Sequence, residues 1–170
     1  MQYANRNKQS VWQPLAAASI VAVALAVATT HASAGECPAA SRVADGKGQQ
    51  MGPTQPVDVT DVVRATTDLS KEPAHIDGRQ FRLRQLEMKP GGIVPWHSHD
   101  NRPAMIYIVS GEVVEYASNC AVPIVHKAGD IAPEKNGTSH WWKNTGNTTA
   151  VLISVDLFPV GDSKMDNHMM

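Results

Sequence analysis

Three histidines hold most of the chemistry this chain can do. His97 and His99 stand two residues apart in Trp96-His97-Ser98-His99, and His140 follows in Asn136-Gly137-Thr138-Ser139-His140-Trp141-Trp142. Residues i and i+2 of a strand project to one face, so the imidazoles of His97 and His99 can converge on one ion, with His140 closing the triad from another strand. Neutral imidazole is a ligand for Fe, Ni, Cu and Zn alike. His75 and His126 lie outside this spacing and are expected at the surface. His168, beside Met169 and Met170, falls in a polar tail. No Gly-rich phosphate loop and no G-x-S-x-G elbow is present.

The elements that must position these histidines read as strands. Short apolar runs alternate with turn residues at close spacing, the signature of an all-β sandwich or barrel. Strands are predicted near 57–64, 81–88, 93–97, 105–110, 113–117, 122–126, 139–144 and 151–158. Turns are expected at Pro90-Gly91-Gly92, Ser110-Gly111, Ala128-Gly129-Asp130, Asn136-Gly137 and Asn144-Thr145-Gly146-Asn147. Residues 68–77, with Pro73, read as a loop with a short helical turn. No helical apolar period and no internal repeat is found.

Turns and histidines together resemble the cupin superfamily. In its first motif a Gly precedes His-x-His by five residues, a Glu follows, and a second Gly closes the motif; Gly91, His97, His99 and Gly111 fall in place, with Ala104 where the Glu would stand. In the second, Gly129, Gly137, His140 and Asn144 match, and Lys135 replaces a Pro. The resemblance implies a single conical β-barrel (a jelly roll) over residues 57–160, a divalent metal in its mouth, and often a homodimer. Some members lacking the Glu hold Fe(II) with three histidines. Fe(II) is therefore the first candidate ion, with Ni, Cu, Zn or Mn as alternatives. Imidazoles alone would leave the ion its full dipositive charge and open positions for dioxygen or a chelating substrate. A carboxylate from elsewhere is the alternative, from Asp100, Glu87 or Glu134.

The pocket residues follow from the same pattern. Trp142, two residues past His140, shares the inward face and either walls the pocket or fills the barrel. Ala104 marks the vacated Glu position. Arg102 either meets a substrate carboxylate at the mouth or is a solvated loop residue, and Asn144 either borders the pocket or ends its strand in a turn. An aromatic wall beside an open metal suits a small, flat molecule.

Composition bounds the setting. Residues 1–34 read as an export signal, with Arg6 and Lys8, the uncharged apolar run Leu15 to Ala28, and Ala32-Ser33-Ala34 at a cleavage site; the run is short for a membrane anchor. The mature protein is then periplasmic or secreted, with an N-terminal arm over residues 35–56 and a tail over 161–170. Net charge is −1 for the whole chain, and −3 without the leader, which holds two basic residues and no acid. That balance gives no argument for nucleic acid or an anionic membrane as partner, and small molecules or metals fit better. Cys37 and Cys120 are the two cysteines. In an exported protein they are expected to form a disulfide tethering the arm; two separate thiols, one of them a metal ligand, is the other reading. The functional expectation is a metal-dependent, oxygenase-like enzyme acting on a small molecule, aromatic compounds among the candidates, with a non-catalytic small-ligand or metal-binding protein as the alternative.

Overall fold

The computed structural model describes residues 35–161. The export signal expected over residues 1–34, and residues 162–170 of the expected tail, lie outside the described residues. The described residues form eight strands: β1 Val57–Asp68, β2 Arg79–Ser98, β3 Ala104–Ser110, β4 Glu112–Ala117, β5 Ile124–Lys127, β6 Ile131–Glu134, β7 Ser139–Lys143 and β8 Ala150–Pro159. They form one nearly closed, barrel-shaped sheet in the order β5-β4-β7-β2-β8-β3-β6, with β1 added on β2. Every pairing is antiparallel. A single short 3-10 turn, Leu69–Lys71, stands between β1 and β2.

Strand β2 differs most from the expectation. Pro90-Gly91-Gly92 is not a turn between two strands; the chain runs through it as one strand of 20 residues. The reason lies in the alternation. Arg82, Arg84, Leu86 and Met88 point inward, and the same parity continues through Gly92 to Val94. What changes at the glycines is the partner: residues up to Met88 pair with β8, and those from Ile93 onward pair with β7. Gly91 takes φ of 80°, a conformation that disfavours any side chain. A Cβ on Gly92 would meet the carbonyls of Asp58 and Lys89 at 2.8 Å.

The parity then breaks once, where function needs it. A register shift between Val94 and His97 moves the inward face from even to odd positions. Bulges of this kind re-aim side chains. Here the shift lets Val94 stay in the core while His97 and His99 turn inward behind it.

The barrel interior divides along the strands. Leu86, Met88, Val94, Ile106, Ile108, Val113, Ala132, Trp142, Ala150 and Leu152 make the apolar core. At the other end Arg82 lies opposite Asp156 across the β2–β8 ladder. Their side chains form a two-pronged ion pair at 3.0 and 2.8 Å, fully buried. Strand β6, absent from the sequence prediction because it is only four residues long and contains Pro133, pairs with β3 and places Ala132 and Glu134 inside.

Strands β5 and β6 end the main strand order and leave a seam, while β1, paired only with β2, is a further edge. The arm, residues 35–56, lies beside it. Cys37 and Cys120 form a disulfide with Cα atoms 5.8 Å apart, and Val43, Gly48 and Gln49 donate backbone hydrogen bonds to Asn119, Ser118 and Ala117. Gly35 backs directly onto the Ile131 carbonyl of β6, with its missing Cβ 3.3 Å from the His126 ring on β5. No helix among the described residues is long and apolar enough to cross a membrane.

Candidate metal centre

His97 and His140 are opposite one another on the β2–β7 ladder, and His99 follows His97 on the same face. Their Nε2 atoms gather at one point: His97 to His99 at 3.0 Å and His97 to His140 at 3.2 Å. Glu134 completes the group, its two oxygens 3.1 Å from His99 Nε2 and 3.2 Å from His140 Nε2. The four donor atoms all lie within 4.8 Å of one another.

The other ring nitrogens decide the protonation state. His97 Nδ1 faces the Pro95 carbonyl at 2.8 Å, and His99 Nδ1 faces the Arg102 carbonyl at 2.6 Å. His140 Nδ1 faces Glu115 Oε1 at 2.5 Å. All three partners only accept, so each Nδ1 carries the hydrogen and each ring, when neutral, presents a lone pair at Nε2. Three lone pairs and a carboxylate then converge on one point, where a cation resolves their repulsion. Metal-binding histidines characteristically donate their second nitrogen to a carbonyl or carboxylate in this way. The spacing also fits: ligand atoms about 2.1 Å from an ion are about 3.0 Å apart at right angles.

Electrostatics agree. Burial, with the positive charge of His140 and of Arg102, takes His99 down to about 3, and burial with its two neighbouring imidazoles takes His97 well below the ordinary value. Both rings are therefore neutral ligands at physiological pH, whereas for His140 burial pulls downward but the carboxylates of Glu134 and Glu115 outweigh it and hold the ring above its ordinary value. Burial pushes Glu134 upward against the pull of His140. For Glu115 burial again pushes upward, but hydrogen bonds from His126 and His140 outweigh it and bring the carboxyl to about 2.

Glu134 answers the question posed by Ala104. The two are cross-strand partners on the β3–β6 ladder, both buried and facing inward. The carboxylate that the motif would place at position 104 comes instead from the residue directly opposite, and the small Ala104 leaves it room. Asp100 lies against Gly137 in the loop, and Glu87 faces outward toward Gln85.

Other expected residues fall in two groups. Trp142 is buried and shares an interior cavity with His97, Glu134, Arg84, Leu86, Val94, Ile106 and Leu152. Arg102 is neither at the mouth nor solvated: it turns inward, 5% exposed, onto Asp156 at 3.1 Å. Asn144 is also turned away from the cavity. Its amide donates to Met88 and Thr148 carbonyls and its oxygen accepts from Gly146, holding the turn after β7. His126 is not at the surface. It is fully buried, bonded through Nε2 to Glu115 at 2.9 Å. Three residues here escaped the sequence reading in their roles: Glu115, His126 and Arg84. The available signal was a polar side chain at an inward position of an alternating strand.

A second opening, a cleft of about 260 Å³, lies between the arm and the barrel. Glu134, His140 and Glu115 form part of its lining, and Arg42 and Lys135 stand with it.

Residues 84–156 match the family described as Cupin domain. Over 87 residues the chain is 38% identical to an oxalate-binding protein of Thermotoga maritima, covering 51% of this chain and 69% of that protein. An auxin-binding protein of Prunus persica is 28% identical over 46% of this chain, which spans only 39% of that longer relative. A crystal structure from Thermotoga maritima, of a predicted oxalate decarboxylase, aligns with 64% of this chain and 94% of its own at 25% identity, TM-score 0.48. With the barrel, both histidine strands and the 38%-identical oxalate-binding relative in agreement, the chain belongs to the cupin superfamily.

Proposed function

We propose that this protein captures a small carboxylate of oxalate-like size on one divalent transition ion held by His97, His99, His140 and Glu134. The convergence of three Nε2 lone pairs and one carboxylate carries the reading. Three nitrogens and an oxygen suit Fe(II) or Mn(II), and Glu134 offsets part of the ion's charge. When bound, the ion supplies a Lewis acid with positions left for a chelating ligand.

The chain's own residues favour an acid. Arg84 borders the cavity beside His97 and Glu134, and is buried at 5% exposure. One guanidinium nitrogen binds Ser154 Oγ at 3.1 Å, another pairs with Asp61, and Nε, without a hydrogen-bond partner, lies 3.6 Å from Asp156 Oδ2. Leu86, Val94, Ile106, Trp142 and Leu152 keep water from the rest of the wall. The oxalate-binding relative supports the same class of ligand. The disulfide suits an oxidising compartment, and we place the protein in the periplasm or outside the cell on that ground.

The interior space beside His97 is about 20 Å³, room for about one water, so a ligand larger than water comes to the ion by the cleft of about 260 Å³ that His140, Glu134 and Glu115 help to line. Capture of a small acid is the function the geometry supports best. Elemental analysis of purified protein, followed by calorimetric titration of oxalate into Mn(II)-loaded protein, tests it. About one equivalent of ion, lost in a His97→Ala/His140→Ala variant, with oxalate binding only when metal is present, is the expected result. No metal uptake removes the centre. Uptake without oxalate binding removes the ligand class, and oxygen consumption with turnover replaces capture by catalysis.

A further inference from the structure

We propose that Glu115 and His126 are a positioning pair that fixes the tautomer and aim of His140 and thereby sets how tightly the metal centre holds its ion. The inference rests on the metal reading above. Glu115 projects inward from β4 and divides its two oxygens, Oε1 to His140 Nδ1 at 2.5 Å and Oε2 to His126 Nε2 at 2.9 Å. His126 is fully buried on β5 and stacks on Trp142 with centroids 4.5 Å apart. Trp142 in turn presents its ring at 76° to His140, 5.7 Å away. His140 is thus held on its Nδ1 edge and against its ring.

An ionised carboxylate and an imidazole inside a barrel are costly where apolar side chains would fill the same inward positions. His126 does not serve its own satisfaction, since its Nδ1 has no partner; its one hydrogen bond goes to Glu115. The three ligand histidines also differ. His97 and His99 donate to neutral backbone carbonyls, whereas His140 donates to a charged carboxylate. A carboxylate partner raises the basicity of the opposite nitrogen. His140 is therefore the strongest of the three nitrogen donors, and Glu115, anchored by His126, makes it so.

Co(II) is the probe, with affinity read by chelator competition and geometry by visible absorption, alongside the melting temperature of the metal-free protein. Glu115→Gln keeps the shape and removes the charge. It is expected to weaken Co(II) binding by about 10- to 100-fold, the range for loss of an outer partner, and to shift the Co(II) bands. His126→Phe keeps the stack on Trp142 and is expected to act in the same direction by less. His126→Gln, whose amide can still donate to Glu115, is expected to restore affinity relative to His126→Phe. This pair decides the matter if Glu115→Gln does not fold. Wild-type affinity and spectrum in Glu115→Gln or His126→Phe, with only a lowered melting temperature, would overturn the proposal. Wild-type protein that takes up no Co(II) would instead overturn the metal centre itself.

Discussion

Moving the carboxylate back across the β3–β6 ladder tests whether Glu134 replaces the missing motif acid. Glu134→Ala removes one of four donors. Residues directly opposite in an antiparallel pair have Cβ atoms about 5 Å apart, so a Glu introduced at position 104 reaches the space that Glu134 vacates. Its other neighbour across the β3–β8 ladder is Asp156, already neutralised by Arg82 and Arg102. Loss of a ligand costs at least about 100-fold in affinity, the upper end for loss of an outer partner. With free ion at 100 times the wild-type Kd, metal stabilises the wild type by about 2.7 kcal/mol and the variant by about 0.4 kcal/mol. A domain of this size shifts by about 3–5 °C per kcal/mol. Scanning calorimetry with and without Mn(II) is therefore expected to show a rise of about 10 °C for wild type, about 1–2 °C for Glu134→Ala, and most of the wild-type rise in Ala104→Glu/Glu134→Ala. A full metal-dependent rise in Glu134→Ala alone would refute the assignment.

Three further outcomes are expected. Metal-free protein should lose stability as pH falls below 6.5, because His99 stays neutral in the fold down to about 3 while the unfolded chain takes up the proton; a flat melting temperature between pH 7 and pH 4 would contradict this. Asp156→Asn strips the shared counter-ion from Arg82 and Arg102 and should destabilise by roughly 3–5 kcal/mol in urea unfolding, with a loss under 1 kcal/mol refuting the buried network as drawn. Reducing the Cys37–Cys120 bridge, which closes a separation of 83 residues, should cost roughly 4–5 kcal/mol in the chain-entropy account, read as a lower denaturation midpoint with reductant and no such change in Cys37→Ser/Cys120→Ser.

Much of the site is legible in the chain because a period of two is hard to disguise. His97 and His99, and His140 and Trp142, share a face by spacing alone, and the turn glycines frame them. Other features escape for physical reasons. The bulge after Val94 changes which parity faces inward, and nothing in Pro95-Trp96 announces it. Glu134 sits on a four-residue strand containing proline, too short to read as a strand, so its position opposite Ala104 emerges only from the pairing. His126 looks like a surface histidine between Val125 and Lys127, both of which do face out. Its burial depends on Glu115, a partner from the neighbouring strand. Arg102 sits between motif positions and Asn144 occupies one, but each is spent on a local need, one on Asp156 and the other on its own turn.

Charge balance ties these parts together. Three neutral imidazoles with Glu134 and ionised Glu115 hold two negative charges, which a divalent ion cancels. Farther along the interior, Arg82, Arg84 and Arg102 face Asp61 and Asp156, an excess of one positive charge. Without an ion, Glu134 and Glu115 have only His140, whose proton affinity they raise, as counter-charge, and burial pushes Glu134 toward its protonated form. With an ion the centre is neutral, and the arginine cluster leaves a net positive wall in low dielectric. That sequence of charges makes anion capture depend on prior metal binding even where the anion also touches Arg84. Oxalate affinity that survives metal removal would place the anion at the arginines alone; affinity that requires the ion, and falls in an Arg84→Lys variant that still takes up metal, would show that both halves of the interior act on one ligand.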